Sequence, residues 1–280
     1  MTNDHIEKWR TSMQAEGAMP NTVVPRVRRV QLLGEAIDSP PEDATTDQVA
    51  AYLASLRVGK STRATYHSHL RSWFLWLVRS GYRDDNPMDR MRPPRVPARQ
   101  PRPVTDRELD AILAVRVHKR TRMMVALAAL QGLRVHEIAK FKGEDVNLKD
   151  GLLSVLGKGG VLATLPLHPT VADLAAEFPR RGYWFPSYQK TENGQPAHIL
   201  PRSVSNILCQ VFKRAGVSGG AHRLRHWHGT HMLEEGVDVR VVQTMLRHSN
   251  LSTTALYTKV NPEQQRAALQ TLSLRPRAAT

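Results

Sequence analysis

Residues 91–103 read M-R-P-P-R-V-P-A-R-Q-P-R-P. No helix or central strand tolerates this run, because each proline removes a backbone donor and disfavours helix in the residue before it. A chain of 280 residues broken in this way is expected to form a first unit over 1–90, a linker over 91–103 and a second unit over 104–280. The linker carries Arg92, Arg95, Arg99 and Arg102 and no acid. Its arginines either touch phosphates or are solvated on an extended spacer.

The first unit reads as four short helices. Ile6, Trp9 and Met13 repeat at helical spacing, and so do Val23, Val27 and Val30 behind a candidate N-cap at Asn21. Thr45 or Thr46 can cap a helix holding Val49, Leu53 and Leu56. Tyr66, Leu70, Trp73 and Leu77 mark the fourth, which Gly81 can terminate. Arg63, Arg71 and Arg79 recur along it, forming either a face for DNA or a solvated face.

In the second unit Thr105 and Glu108 form a capping box ahead of Leu109 and Ile112. Residues 123–130 are apolar almost all round, which predicts a buried helix closed by Gly132. Residues 152–156 and 161–165 are β-prone around G-K-G-G, a β-hairpin signature. Helical patterns return at 204–212, 224–233, 239–246 and 262–272. The expected class is mainly α with a small β-sheet (α+β).

Composition narrows the partners. Lys and Arg number 40 against 25 Asp and Glu, a formal charge of +15. That balance favours a polyanion, for which nucleic acid is the common case, over a merely basic protein. The single cysteine, Cys209, excludes an internal disulfide framework and any multi-cysteine metal site, and fits a reducing, cytoplasmic setting. No run of about 18 apolar residues is present, so no membrane partner is expected.

Three segments carry chemistry. In G-L-R-V-H-E-I, residues 132–138, Arg134 follows a glycine break, and Glu137 three residues on can orient it. Arg134 is then either half of a structural ion pair or a bidentate phosphate ligand. In A-H-R-L-R-H-W-H-G-T-H, residues 221–231, His222 and Arg225 share a face near a helix start, where free N–H groups suit a phosphate. The histidine row also raises a metal reading, but there is no H-E-x-x-H, and the intervening arginines would repel a cation. In L-R-H-S-N-L-S-T-T-A-L-Y-T, residues 246–258, His248 precedes Tyr257 by nine residues. A phenol titrates near pH 10 and needs help to attack phosphorus.

Together these segments resemble the tyrosine recombinases, the phage integrases and Xer-type enzymes. The resemblance rests on Arg134 in G-L-R-x-x-E with Glu137 at the acidic position, His222 and Arg225 in H-x-x-R, then His248 and Tyr257. It spans about residues 105–273, and extends more loosely to a helical, SAM-like core-binding domain ahead of it, where Asn86-Pro87 also fits. It implies that Tyr257 is the nucleophile, that Lys158 at the hairpin turn is catalytic, and that Glu137 supports Arg134. It implies a 3′-phosphotyrosyl intermediate formed without metal or other cofactor, on double-stranded core-type sites. Arg63, Arg71, Arg95, Arg99 and Arg102 are candidate DNA contacts. The implied assembly is a homotetramer on paired sites, monomeric when free, with the tail helix packed on a neighbour or on its own subunit. The implied setting is the nucleoid of a bacterial host.

The first helical unit begins almost at Met1, so an arm-binding domain is not expected. The chain departs from the family pattern at Arg247, where glycine is usual, at Val161, where a basic residue is frequent, and at His136. Three other functions stay in view: a Xer-like resolvase of chromosome or plasmid dimers, a topoisomerase with the same tyrosine chemistry, and a catalytically silent DNA-binding protein. A metal-dependent nuclease lacks the carboxylate cluster it would need.

Overall fold

The computed structural model describes residues 4–96, 102–157, 162–190, 194, 196–247 and 262–272. The chain divides into two compact units, 1–99 and 100–280.

The first unit is four helices: α1 (Asp4–Ala15), α2 (Pro20–Ile37), α3 (Thr46–Ser55) and α4 (Lys60–Arg79). Each buries most of the apolar stripe read from its spacing, with Trp9, Val30, Leu33, Val49, Leu70, Trp73 and Leu77 at the centre and Leu56 and Tyr66 half-buried at the edge. Trp9 lies 5.2 Å from Trp73, which stacks on Trp76 at 5.5 Å. Thr45 caps α3 through a full capping box with Gln48. Gly81, at φ 71°, follows the end of α4. The start of α2 departs from expectation: its N-cap is Met19 and not Asn21. Pro20 takes the first helical position, where its missing N–H has no intrahelical partner to lose, so the helix begins before Asn21. Arg29 stacks over the Tyr66 ring at 3.3 Å and donates to the Tyr52 hydroxyl at 2.8 Å.

The second unit is built on α6 (Lys119–Ala129), whose residues Met123 to Ala129 are all buried. Around it lie α5 (Asp106–Ala114), α7 (Val135–Ala139), α8 (Pro169–Ala175), α9 (Pro201–Arg214), α10 (Ala221–Glu234), α11 (Val239–Leu246) and α12 (Pro262–Gln270). Of these, α7, α8, α9 and α10 pack directly on α6. A three-stranded antiparallel sheet, β1 (Val146–Asn147), β2 (Leu152–Leu156) and β3 (Leu162–Pro166), runs in that order. The β2–β3 register pairs Leu152 with Pro166 and Leu156 with Leu162. A two-stranded ribbon, β4 (Pro186–Lys190) and β5 (Pro196–His198), stands apart from it. The expected mainly α fold with a small sheet is the fold observed; β1, the ribbon, α7 and α8 add to it.

The capping box of α5 forms as read: the Thr105 hydroxyl accepts from Glu108 N, and Glu108 accepts from Thr105 N at 2.8 Å. Glu108 also receives Arg223 at 2.6 Å, tying α5 to the start of α10. The tail helix α12 packs on its own core, burying Ala268, Leu269 and Leu272. The Nε2–H of buried His168 donates to the Leu272 carbonyl at 2.7 Å, while its Nδ1 accepts from Thr170 N. Fully buried His228, on α10, donates from Nδ1 to the Ala129 carbonyl of α6 at 3.0 Å.

Two predictions follow from this packing. Thr105→Ala should lower stability by about 1 kcal/mol, read as a shifted urea midpoint, because the Glu108 N–H loses its acceptor at the N-cap. The second concerns acid. Burial drives the His228 pKa down to about 3, and it also lowers that of His168. Both are therefore neutral when folded, whereas in the unfolded chain they take up protons below about pH 6.5. The stability tied to keeping them neutral is complete above that value and is lost as the pH falls below it, for His228 down to about 3. His228 alone should account for about 2 kcal/mol by about pH 5. Urea midpoints measured across that range should fall, and His228→Asn, though less stable overall, should show a shallower decline.

Candidate active site

The site forms where the start of α7, the first turns of α10 and the end of α11 converge. Arg134 is the N-cap of α7, in extended conformation at φ −78° and ψ 154°. Three residues on, Glu137 reaches back to accept the Arg134 backbone N–H at 2.7 Å, half of a capping-box geometry. Its other oxygen accepts from the Arg134 guanidinium at 3.2 Å. The spacing read from the sequence therefore produces the contact expected of it.

The loop before Arg134 depends on Gly132. Its φ is +58°, in the left-handed region that glycine occupies without strain. A Cβ there would also lie 2.7 Å from the His228 ring. The helix before it ends at Ala129, and beyond the left-handed Gly132 the Leu133 N–H returns to the Leu127 carbonyl of α6 at 3.0 Å, so this glycine both closes the helix and shapes the turn into Arg134.

Arg225 comes up from α10. It is 5% exposed and donates to the carbonyls of Gly132 and Leu246, joining the Arg134 loop to the end of α11. Burial, then Arg134 and Arg247, pull its pKa down to about 9, so it stays protonated at neutral pH. His222, one turn before it, packs against the His226 ring at 4.2 Å. Burial and the charges of Arg225 and Arg134 lower its pKa, which favours a neutral imidazole. His136 is lowered as well, chiefly by burial.

The sequence missed one participant. Arg247 caps α11 in left-handed conformation, at φ 51° and ψ 49°. Among the described residues only Asp38 shares a positive φ without being glycine. For an arginine this conformation costs on the order of 1 kcal/mol. Its guanidinium meets Glu137 at 2.9 Å, and its backbone carbonyl accepts from Arg134 at 3.3 Å. Burial alone would raise the Glu137 pKa, but Arg247, the Arg134 N–H and the Arg134 charge overcome it and hold the carboxyl below its ordinary value. Two guanidinium groups thus hold one buried carboxylate, Arg225 feels the same charge, and the excess charge of the cluster is positive. The signal in the sequence was a basic side chain where the family pattern has glycine.

Arg134, Glu137, His222 and Arg225 are thereby brought together. Lys158, His248 and Tyr257 lie outside the described residues, as does Arg99. Of the other candidate DNA contacts, Arg63 donates to the Leu56 carbonyl at 2.8 Å, bracing its own loop. Arg71 reaches the Met88 carbonyl and Asp89 while lining an open groove with Arg26, Arg79, Ser68 and Ser72. Arg95 and Arg102 are exposed. Within the described residues no three His, Cys, Asp or Glu side chains gather as metal ligands, and no helix is long and apolar enough to cross a membrane.

Residues 103–264 match the model of the phage integrase family. The tyrosine recombinase XerA of Thermococcus kodakarensis is 32% identical over 280 residues, covering 97% of this chain and 96% of that protein. The integrase of mycobacterium phage Brujita is 41% identical, with a TM-score of 0.58 over all of this chain and 96% of the other. A lambda integrase fragment, residues 75–356, solved as a dimer on a core site, has a TM-score of 0.70 at 20% identity, over 93% of this chain and 98% of that one, a likeness of fold. With a family match across most of the second unit and a relative aligned over nearly its whole length, the chain belongs to the phage integrase family and is a tyrosine site-specific recombinase.

Proposed function

We propose that Tyr257 is the nucleophile, and that the cluster around Glu137 stabilises the phosphoryl group it attacks. The phenol oxygen bonds to phosphorus as the P–O5′ bond breaks, leaving a 3′-phosphotyrosyl link and a free 5′-hydroxyl. The phenol proton passes to His222 or His248, and Lys158 protonates the departing 5′-oxygen, which is a poor leaving group as an alkoxide. Arg134 and Arg225 hold the non-bridging oxygens, where negative charge builds. A 5′-hydroxyl from the partner strand reverses the step, so the energy of the broken bond is retained and no cofactor is called for.

The observation that carries this reading is the convergence of Arg134 and Arg225 at one place. Two cations from separate helices, linked through Gly132 and the end of α11, are held close together against their mutual repulsion. An anion between them relieves that repulsion, and a neutral His222 stands beside it. Double-stranded DNA bearing a core-type site is the substrate we assign. Arg26, Arg71 and Arg79 along the groove of the first unit, together with Arg95, Arg99 and Arg102, would neutralise backbone phosphates. The working assembly on this reading is a homotetramer on two paired sites, in the bacterial cytoplasm at the nucleoid.

The reading is tested by trapping. The protein is incubated, with a chelator, on a duplex carrying its selected core sequence and a nick that lets the cleaved fragment escape. After denaturation, wild type should leave a protein–DNA band and Tyr257→Phe none, while Arg134→Ala should cleave roughly 10³-fold more slowly. Failure to trap a band on a duplex that the protein binds would overturn the assignment.

A further inference from the structure

We infer that Arg247 is a positioning residue for strand cleavage, which neutralises Glu137 so that Arg134 is free to engage the scissile phosphate. The inference rests on the reading that Arg134 binds that phosphate. It begins with a conflict: Glu137 has no exposed side-chain surface, and the guanidinium of Arg134 is one of its partners. A buried carboxylate left without a cation is strongly destabilised. If Arg134 were the sole cation on Glu137, turning it towards a phosphate would expose that penalty at the moment of reaction.

The geometry divides the two tasks. The Arg247 side chain is 9% exposed, against 32% for Arg134. Arg247 bonds Glu137 at 2.9 Å and is fixed from behind by the Met245 carbonyl at 3.0 Å and the Gly132 carbonyl at 3.4 Å. It keeps little surface to offer to DNA. Arg134 holds Glu137 by a longer contact of 3.2 Å and keeps a third of its side chain open. The interior cation is the permanent partner of the carboxylate, and the outer one is the cation that can turn. The left-handed backbone at Arg247 makes this possible, since it aims the carbonyl at Arg134 and the side chain at Glu137 from one residue. A strained conformation held by an ion pair inside a reaction centre is the sort of outlier from which a role can be inferred.

The test uses the full chain on the same nicked duplex, with cleavage rate at saturation and duplex affinity measured separately and folding checked by thermal melting. Arg247→Gly should cleave about 10- to 100-fold more slowly, the scale for losing a group that orients a charged ligand set. Its affinity for the duplex should stay within about threefold, because ground-state binding is not what Arg247 supplies. Arg247→Lys should recover part of the rate. Glu137→Gln/Arg247→Gly should cleave faster than Arg247→Gly alone, since the charge needing neutralisation is gone.

Wild-type cleavage by Arg247→Gly, a loss confined to affinity, or strictly additive effects in the double variant would overturn the inference. Should Arg247→Gly not fold, the same comparisons on Arg247→Lys decide the matter. Arg134→Ala separates the two levels. If it is inactive while Arg247→Gly is normal, only the role of Arg247 falls. If it cleaves normally, the reading of Arg134 falls and the inference with it.

Discussion

The second unit is organised around a carboxylate that water does not reach. Glu137 sits at the third position of a helix of only five residues, yet it gathers a backbone N–H and two guanidinium groups, one from its own helix start and one from the end of α11. Each contact offsets the cost of burying the charge, and each fixes an element: the Arg134 loop by its own first turn, and the end of α11 by Arg247. Arg225 then closes the ring, because its two bonds fall on the Gly132 carbonyl of one element and the Leu246 carbonyl of the other. Charged groups are costly inside a protein unless mutually satisfied, so this arrangement is specific as well as strong.

Around that centre the fold supplies rigidity. Helix α6 is buried from Met123 to Ala129 and presents the Ala129 carbonyl to His228, so α10 is pinned to it one turn beyond Arg225. The Arg223–Glu108 pair pins the start of the same helix to α5. The position of Arg225 is thus set from both sides by contacts that have no part in the chemistry. Phosphoryl transfer relies on placement more than on covalent help from the protein, and this is the kind of support such placement needs.

Much of this was legible in the sequence because it is local. The apolar stripes of α1 to α4, a threonine cap at 45 or 46, the capping box at Thr105 and the Arg134–Glu137 pair are all relations across three or four residues, which a helix turns into contacts. The start of α2 was read one feature too late, because a proline at the first helical position outweighed an asparagine in the next. The ribbon of β4 and β5 was invisible, since strands of five and three residues owe their existence to each other. Arg247 stood out as a departure from a pattern, but nothing local revealed that its side chain would meet a carboxylate 110 residues earlier. His228 looked like one of a row of histidines, and only burial separates it from its neighbours.

The contact between Gly132 and the His228 ring carries a consequence for how such a chain can change over evolutionary time. Backbone and ring occupy one another's space so closely that neither position can drift alone. A larger residue at 132 must await a smaller one at 228, and even then the positive φ remains to be accommodated. A smaller residue at 228 gives up the bond that ties α10 to α6. The two positions are constrained to change together, and the loop that delivers Arg134 is constrained with them.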